Sequence, residues 1–76
     1  MTTATSVGPK LMDGLRAIDA YQREGMPFAD ARLEAMGYPP NMADSILRRL
    51  HDKGLVESGV SERTGWLTDA GKAMFR

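Results

Sequence analysis

Glycine and proline cut this chain into short pieces, and that punctuation limits what it can fold into. Each proline fixes its own φ and keeps its predecessor extended. Glycine reverses the chain where a residue with a Cβ would resist. Gly8-Pro9, Gly25, Pro27, Gly37, Pro39-Pro40 and Gly54 divide the first two-thirds into three stretches, each the length of one helix. The first runs over 9–24, with Pro9 tolerated at the first helical position and Leu11, Leu15, Ile18 and then Tyr21 or Gln22 on one stripe. Gly14 within it costs about 1 kcal/mol against alanine. A second helix is expected at roughly 28–36, with Phe28, Leu33 and Met36 apolar and Gly37 as its stop. A third starts near Pro40 or Asn41, where Asn41 is placed to accept from the Asp44 amide, and buries Ala43, Ile46, Leu47 and Leu50.

After Gly54 the period changes. Leu55-Val56-Glu57 reads as a short strand, 59–63 as a turn, and Thr64-Gly65-Trp66-Leu67 as the returning strand, with Leu55 opposite Leu67 at the base of the hairpin. Thr68 is a sound N-cap for a last helix that offers Met74 and Phe75 to the core. The expected class is mainly α with one β-hairpin (α+β): a loose tail over 1–8 and a single domain over 9–76.

Size and composition exclude several classes. A chain of 76 residues allows one small core. Without cysteine there is no disulfide, no thiolate metal site and no cysteine nucleophile, which is compatible with a reducing compartment. The first eight residues lack the basic-then-apolar order of a signal peptide, and no apolar run reaches membrane-span length. A cytoplasmic protein is expected. Ten basic residues offset ten acidic ones, so attraction to a polyanion is not built into the total and must come from local placement. No glycine-rich phosphate loop or Cys/His constellation suggests an enzyme. His51, the only histidine, makes no zinc site alone, and no metal or cofactor is expected.

The run ILRRLHDKGLVES, followed ten residues later by WLTDAGKAM, resembles a winged helix-turn-helix domain of the MarR-like or PadR-like bacterial and phage regulators. The upstream FADARLEAMGYPPNMADSILRRL resembles the helix-turn-helix itself, with Gly37 at the turn, and the resemblance covers roughly 10–76. It implies a three-helix core with a wing at 55–67 and a short final helix. Independently of the name, Gly54 lets the chain reverse from helix into strand, and Gly71 is small enough for a neighbour to pack on it.

By that resemblance the third helix lies in the major groove. Asn41, Met42, Asp44, Ser45 and Arg48 would face base edges, Arg49 and Lys53 would contact phosphate, and Arg63 would be the wing contact. Asparagine can read adenine and arginine guanine through paired hydrogen bonds. Two features depart from the pattern. Asp44 would stand near the phosphates, and Glu57 and Glu62 oppose Arg63 on the wing. The structural alternative for Arg48, Arg49 and Lys53 is a solvated face with salt bridges to Asp44 and Asp52. Met42 is either a core residue at the seam with the second helix or an exposed one. Trp66 packs over the wing's base or, if exposed, anchors a protein partner.

The expected function is therefore sequence-specific binding of double-stranded DNA by a small transcriptional regulator. Relatives of this fold usually bind as dimers. Here a homodimer would have to use the first helix or the short last one. The alternative is a winged helix serving as a protein-interaction module, an adaptor or inhibitor. A continuous basic patch around the third helix favours DNA, and an apolar patch around Met42, Tyr38 or Trp66 favours a protein.

Overall fold

The computed structural model of the chain describes residues 8–59 and 65–75. Helix α1 runs Pro9–Glu24, α2 Ala29–Ala35 and α3 Pro40–Asp52. Strands β1 (Val56–Glu57) and β2 (Trp66–Leu67) pair antiparallel, and α4 spans Asp69–Ala73. The protein is thus mainly helical with one small two-stranded sheet. The expected tail to residue 7, the turn residues 60–63 and Thr64 lie outside the described residues.

Two of the three long connections are made by the same device. At the end of α2, Gly37 has φ 108°, its amide donates to the Glu34 carbonyl, and the Tyr38 amide donates to the Leu33 carbonyl at 3.2 Å. At the end of α3, Gly54 has φ 76°, its amide donates to His51 and the Leu55 amide donates to the Leu50 carbonyl at 3.0 Å. Both are Schellman closures, in which a left-handed glycine satisfies carbonyls the helix leaves open. They turn the chain sharply after α2 and send it straight from α3 into β1.

Several boundaries differ from expectation. Phe28 precedes α2 in an extended conformation, and its ring lies 5.7 Å from that of Tyr21. Met36 falls beyond the last turn of α2 and is 48% exposed, so it is not a core residue. Asn41 does not cap α3. Pro40 holds Pro39 extended and has no N–H to satisfy, so the helix begins at Pro40 without a side-chain cap. Leu67 pairs with Val56, not Leu55. The Leu55 amide is already taken by the α3 closure, while its carbonyl accepts from Thr68. Phe75 lies past the end of α4 and is exposed, whereas Met74 packs on the core.

The core is one cluster. Leu11, Leu15, Ala17 and Ile18 of α1 meet Ala29 and Leu33 of α2, Ala43, Ile46, Leu47 and Leu50 of α3, and Leu55, Val56 and Leu67. Among the described residues no polar or charged side chain is buried. Gly14 explains itself here: a Cβ on it would stand 2.6 Å from Ile46 Cγ2 and 2.7 Å from Leu50 Cδ1. The propensity cost allows α1 and α3 to approach closely. Polar side chains fasten the periphery. Tyr38 donates to Asp13 Oδ2 at 2.7 Å, and Gln22 Oε1 accepts from the Leu67 amide at 2.8 Å. Thr68 caps α4 as expected, accepting from the Gly71 amide while its hydroxyl donates to the Gly54 carbonyl.

Candidate nucleic-acid interface

The burial of Ala43, Ile46, Leu47 and Leu50 fixes how α3 is turned about its axis. At about 100° per residue, the opposite side then carries Asn41, Ser45, Arg48 and Asp52, flanked on one shoulder by Met42 and Arg49 and on the other by Asp44 and His51. All of these are exposed except Met42. Met42 is half-buried and packed against the core, so of its two readings the core one holds. Lys53 follows as the C-cap and is exposed. Arg63, the expected wing contact, and Glu62 lie outside the described residues.

Charge on this surface is unevenly neutralised. Arg48 Nη2 lies 2.8 Å from Asp44 Oδ2, an i,i+4 pair with both side chains more than half exposed. Such pairs are worth about 0.3–0.5 kcal/mol and exchange readily for another anion. Asp44 therefore holds Arg48 in place without locking it away. The pairing to Asp52 that the alternative, solvated-face reading includes does not form: among the described residues, Arg49 and Lys53 have no carboxylate within salt-bridge reach. Both also stand at the C-terminal end of α3, where cations are favoured by the helix dipole, so part of their role is structural.

Sequence reasoning missed Lys10. It stands at the second position of α1 and lines, with Leu11, Met42, Ser45, Ile46 and Arg49, an open depression of about 160 Å³ between α1 and α3. Lys10 too has no carboxylate partner among the described residues. Nothing local marks it, because its meeting with Arg49 depends on how the two helices pack. The apolar patch expected of a protein-binding surface does not form around Tyr38 and Met42, which are both half-buried against the core. Trp66 is 43% exposed and stands opposite Glu57 in the sheet.

Arg32, another missed residue, has a structural role. Its guanidinium donates to the carbonyls of Pro27 at 3.0 Å and Gly25 at 3.1 Å and reaches Glu24 at 3.3 Å, tying α2 to the end of α1. It is therefore not available to a ligand. The Tyr38 hydroxyl is held above its ordinary range by donating to Asp13, with burial and the carboxylate's charge adding to the effect. Among the described residues no three His, Asp or Glu side chains converge as a metal ion would require, and no helix is long and apolar enough to cross a membrane.

Comparison with protein-family models, with curated proteins and with solved structures finds no match to this chain.

Proposed function

We propose that this protein is a winged helix-turn-helix that binds double-stranded DNA and regulates transcription by occupying an operator. In this reading α2, the turn at 36–39 and α3 form the helix-turn-helix, and the segment from 55 to 67 forms the wing. Helix α3, about 20 Å long at 1.5 Å per residue, enters the major groove. Asn41, Ser45 and Arg48 face base edges, and Arg49 and Lys53 face phosphate.

One observation carries the proposal. In a chain of zero net charge, α3 ends in two exposed cations without carboxylate partners among the described residues, next to a third held only by a surface pair. Asp52 is within helical reach of Arg48 and Arg49, yet neither is bridged to it, so both guanidinium groups stay accessible to an outside anion.

The test is fluorescence anisotropy of the protein with a random 30-base-pair duplex (about three helical turns) across a salt series. Two phosphate contacts per protomer give a slope of log K against log salt of about −2. Absence of binding at low salt, with a folded sample, would overturn the proposal. A homodimer belongs to the same reading, because two half-sites raise affinity and specificity together.

A second reading has one observation in its favour. Trp66 exposes a large aromatic surface beside Glu57, as a protein-binding anchor would. In that reading the domain is an adaptor or inhibitor, and Trp66→Ala abolishes capture of its partner without changing stability.

A further inference from the structure

The geometry points to the depression between α1 and α3 as the seat of one DNA backbone phosphate, held jointly by Lys10 and Arg49 with Ser45 as a hydroxyl donor. This rests on the DNA-binding reading and adds to it a contact from a different helix.

Lys10 and Arg49 come from α1 and α3, yet both line this one depression. Two exposed cations on one hollow raise the local positive potential, which attracts an anion into it. No carboxylate is among its lining residues, and neither cation has a carboxylate partner elsewhere among the described residues. Asp13 is engaged with Arg16 and Tyr38, Asp44 pairs with Arg48, and Asp52, on the opposite side of α3 from the core, makes no salt bridge with Arg49. Both cations are therefore available to an anion that enters the depression from solution.

The chemistry of the lining selects phosphate. Arginine presents a planar fork that matches two phosphate oxygens, lysine supplies a compact point charge, and serine donates a hydroxyl. Leu11, Met42 and Ile46 give an apolar floor, which strengthens charge interactions above it by lowering the local dielectric. At about 160 Å³ the depression has room for a phosphate's oxygens. The depression is open, so a phosphate can enter while still attached to a duplex backbone. Its place beside the Met42–Arg49 shoulder of α3 puts that phosphate at the rim of the groove in which α3 lies. Ser45 then serves the backbone instead of a base edge, and Lys10 fixes the angle at which α3 meets the duplex.

The experiment compares wild type, Lys10→Gln, Arg49→Gln, the double variant and Lys72→Gln in the anisotropy salt series. Lys72 is an exposed cation on α4 that does not line the depression. All three positions are exposed, and circular dichroism checks that each variant is folded. The expected result is that Lys10→Gln and Arg49→Gln each weaken binding about tenfold, equally on random and on operator sequences. The double variant then falls short of the product of the two losses and lowers the salt slope by about 1, because one phosphate is lost and not two. Lys72→Gln leaves binding unchanged. If Lys10→Gln binds like wild type while Arg49→Gln is weakened, the shared seat is overturned and the DNA-binding reading survives. If the two losses multiply fully, the residues contact separate phosphates and the shared seat is again overturned. If wild type binds no duplex at low salt, both fall together.

Discussion

Gly14 and Gly71 each stand where a methyl group has no room, and they differ in what it would strike. On Gly14 it would meet the ends of the Ile46 and Leu50 side chains. On Gly71 it would overlap the Leu55 carbonyl oxygen and come within 3.3 Å of Leu67 Cδ2. Side-chain ends can turn, although here both belong to the core. A carbonyl that already accepts from the Thr68 amide cannot move without opening the joint between α3, β1 and α4. Either alanine gains about 1 kcal/mol of helix propensity, against about 1–3 kcal/mol for overpacking. Gly14→Ala is therefore expected to destabilise by about 1 kcal/mol and Gly71→Ala by about 2 kcal/mol, read from urea denaturation midpoints. In a domain of this size the second change lowers Tm by roughly 8–16 °C. Equal losses would mean that the α1–α3 contact is as unyielding as the backbone joint.

Between elements, the pin that can be followed by titration is the one from Tyr38 to Asp13, which ties the α2–α3 turn to α1. The hydrogen bond to the carboxylate, then burial, then the carboxylate's charge all raise the Tyr38 pKa above 10.0. The folded state thus favours the protonated phenol. The stabilisation is fully present below the unfolded value near 10 and is lost as pH rises through the higher folded value. Absorbance titration should show a tyrosine ionising later than free tyrosine, and Tyr38→Phe should remove that component and the matching alkaline loss of stability. If Tyr38→Phe leaves both unchanged, the pin does not form in solution. This contact was not legible in the sequence, unlike the helices it joins. Helix positions follow from local signals: Pro9, Gly25, Gly37 and Gly54 mark ends that any chain of these residues would respect. Met36 and Phe75 were misassigned because counting along a stripe assumes that the helix continues, and α2 and α4 end before reaching them. Gln22 and Arg32 were missed for a different reason. Their partners are backbone atoms of other segments, and no spacing along their own helix announces them.

Over the whole molecule the same division separates the α3 face from Lys10. The outward positions Asn41, Ser45, Arg48 and Arg49 follow from the buried stripe of one helix, whereas Lys10 joins them only because α1 and α3 share a single core. That single core also decides how the protein should unfold. Every element from α1 to β2 contributes buried apolar residues to one cluster, and no second cluster stands among the described residues. Strands of two residues are marginal alone, so β1 and β2 persist only while Val56 and Leu67 remain in that cluster and Gln22 holds the Leu67 amide. The sheet and the helices should therefore be lost together. Trp66 is the only tryptophan and sits in β2, beside the buried Leu67. Its fluorescence reports the sheet, while far-UV ellipticity reports the helices. The two urea curves are expected to superpose, with one midpoint and an m-value of about 1 kcal/mol/M. A tryptophan transition at lower urea than the helical one would mean that the sheet detaches while the three long helices stay packed. The angle between the sheet and α3 would then be set by Gln22 and Thr68 instead of by the core. In that case Gln22→Ala should widen the gap between the two curves, because it removes the hydrogen bond that, among the described residues, ties β2 directly to α1.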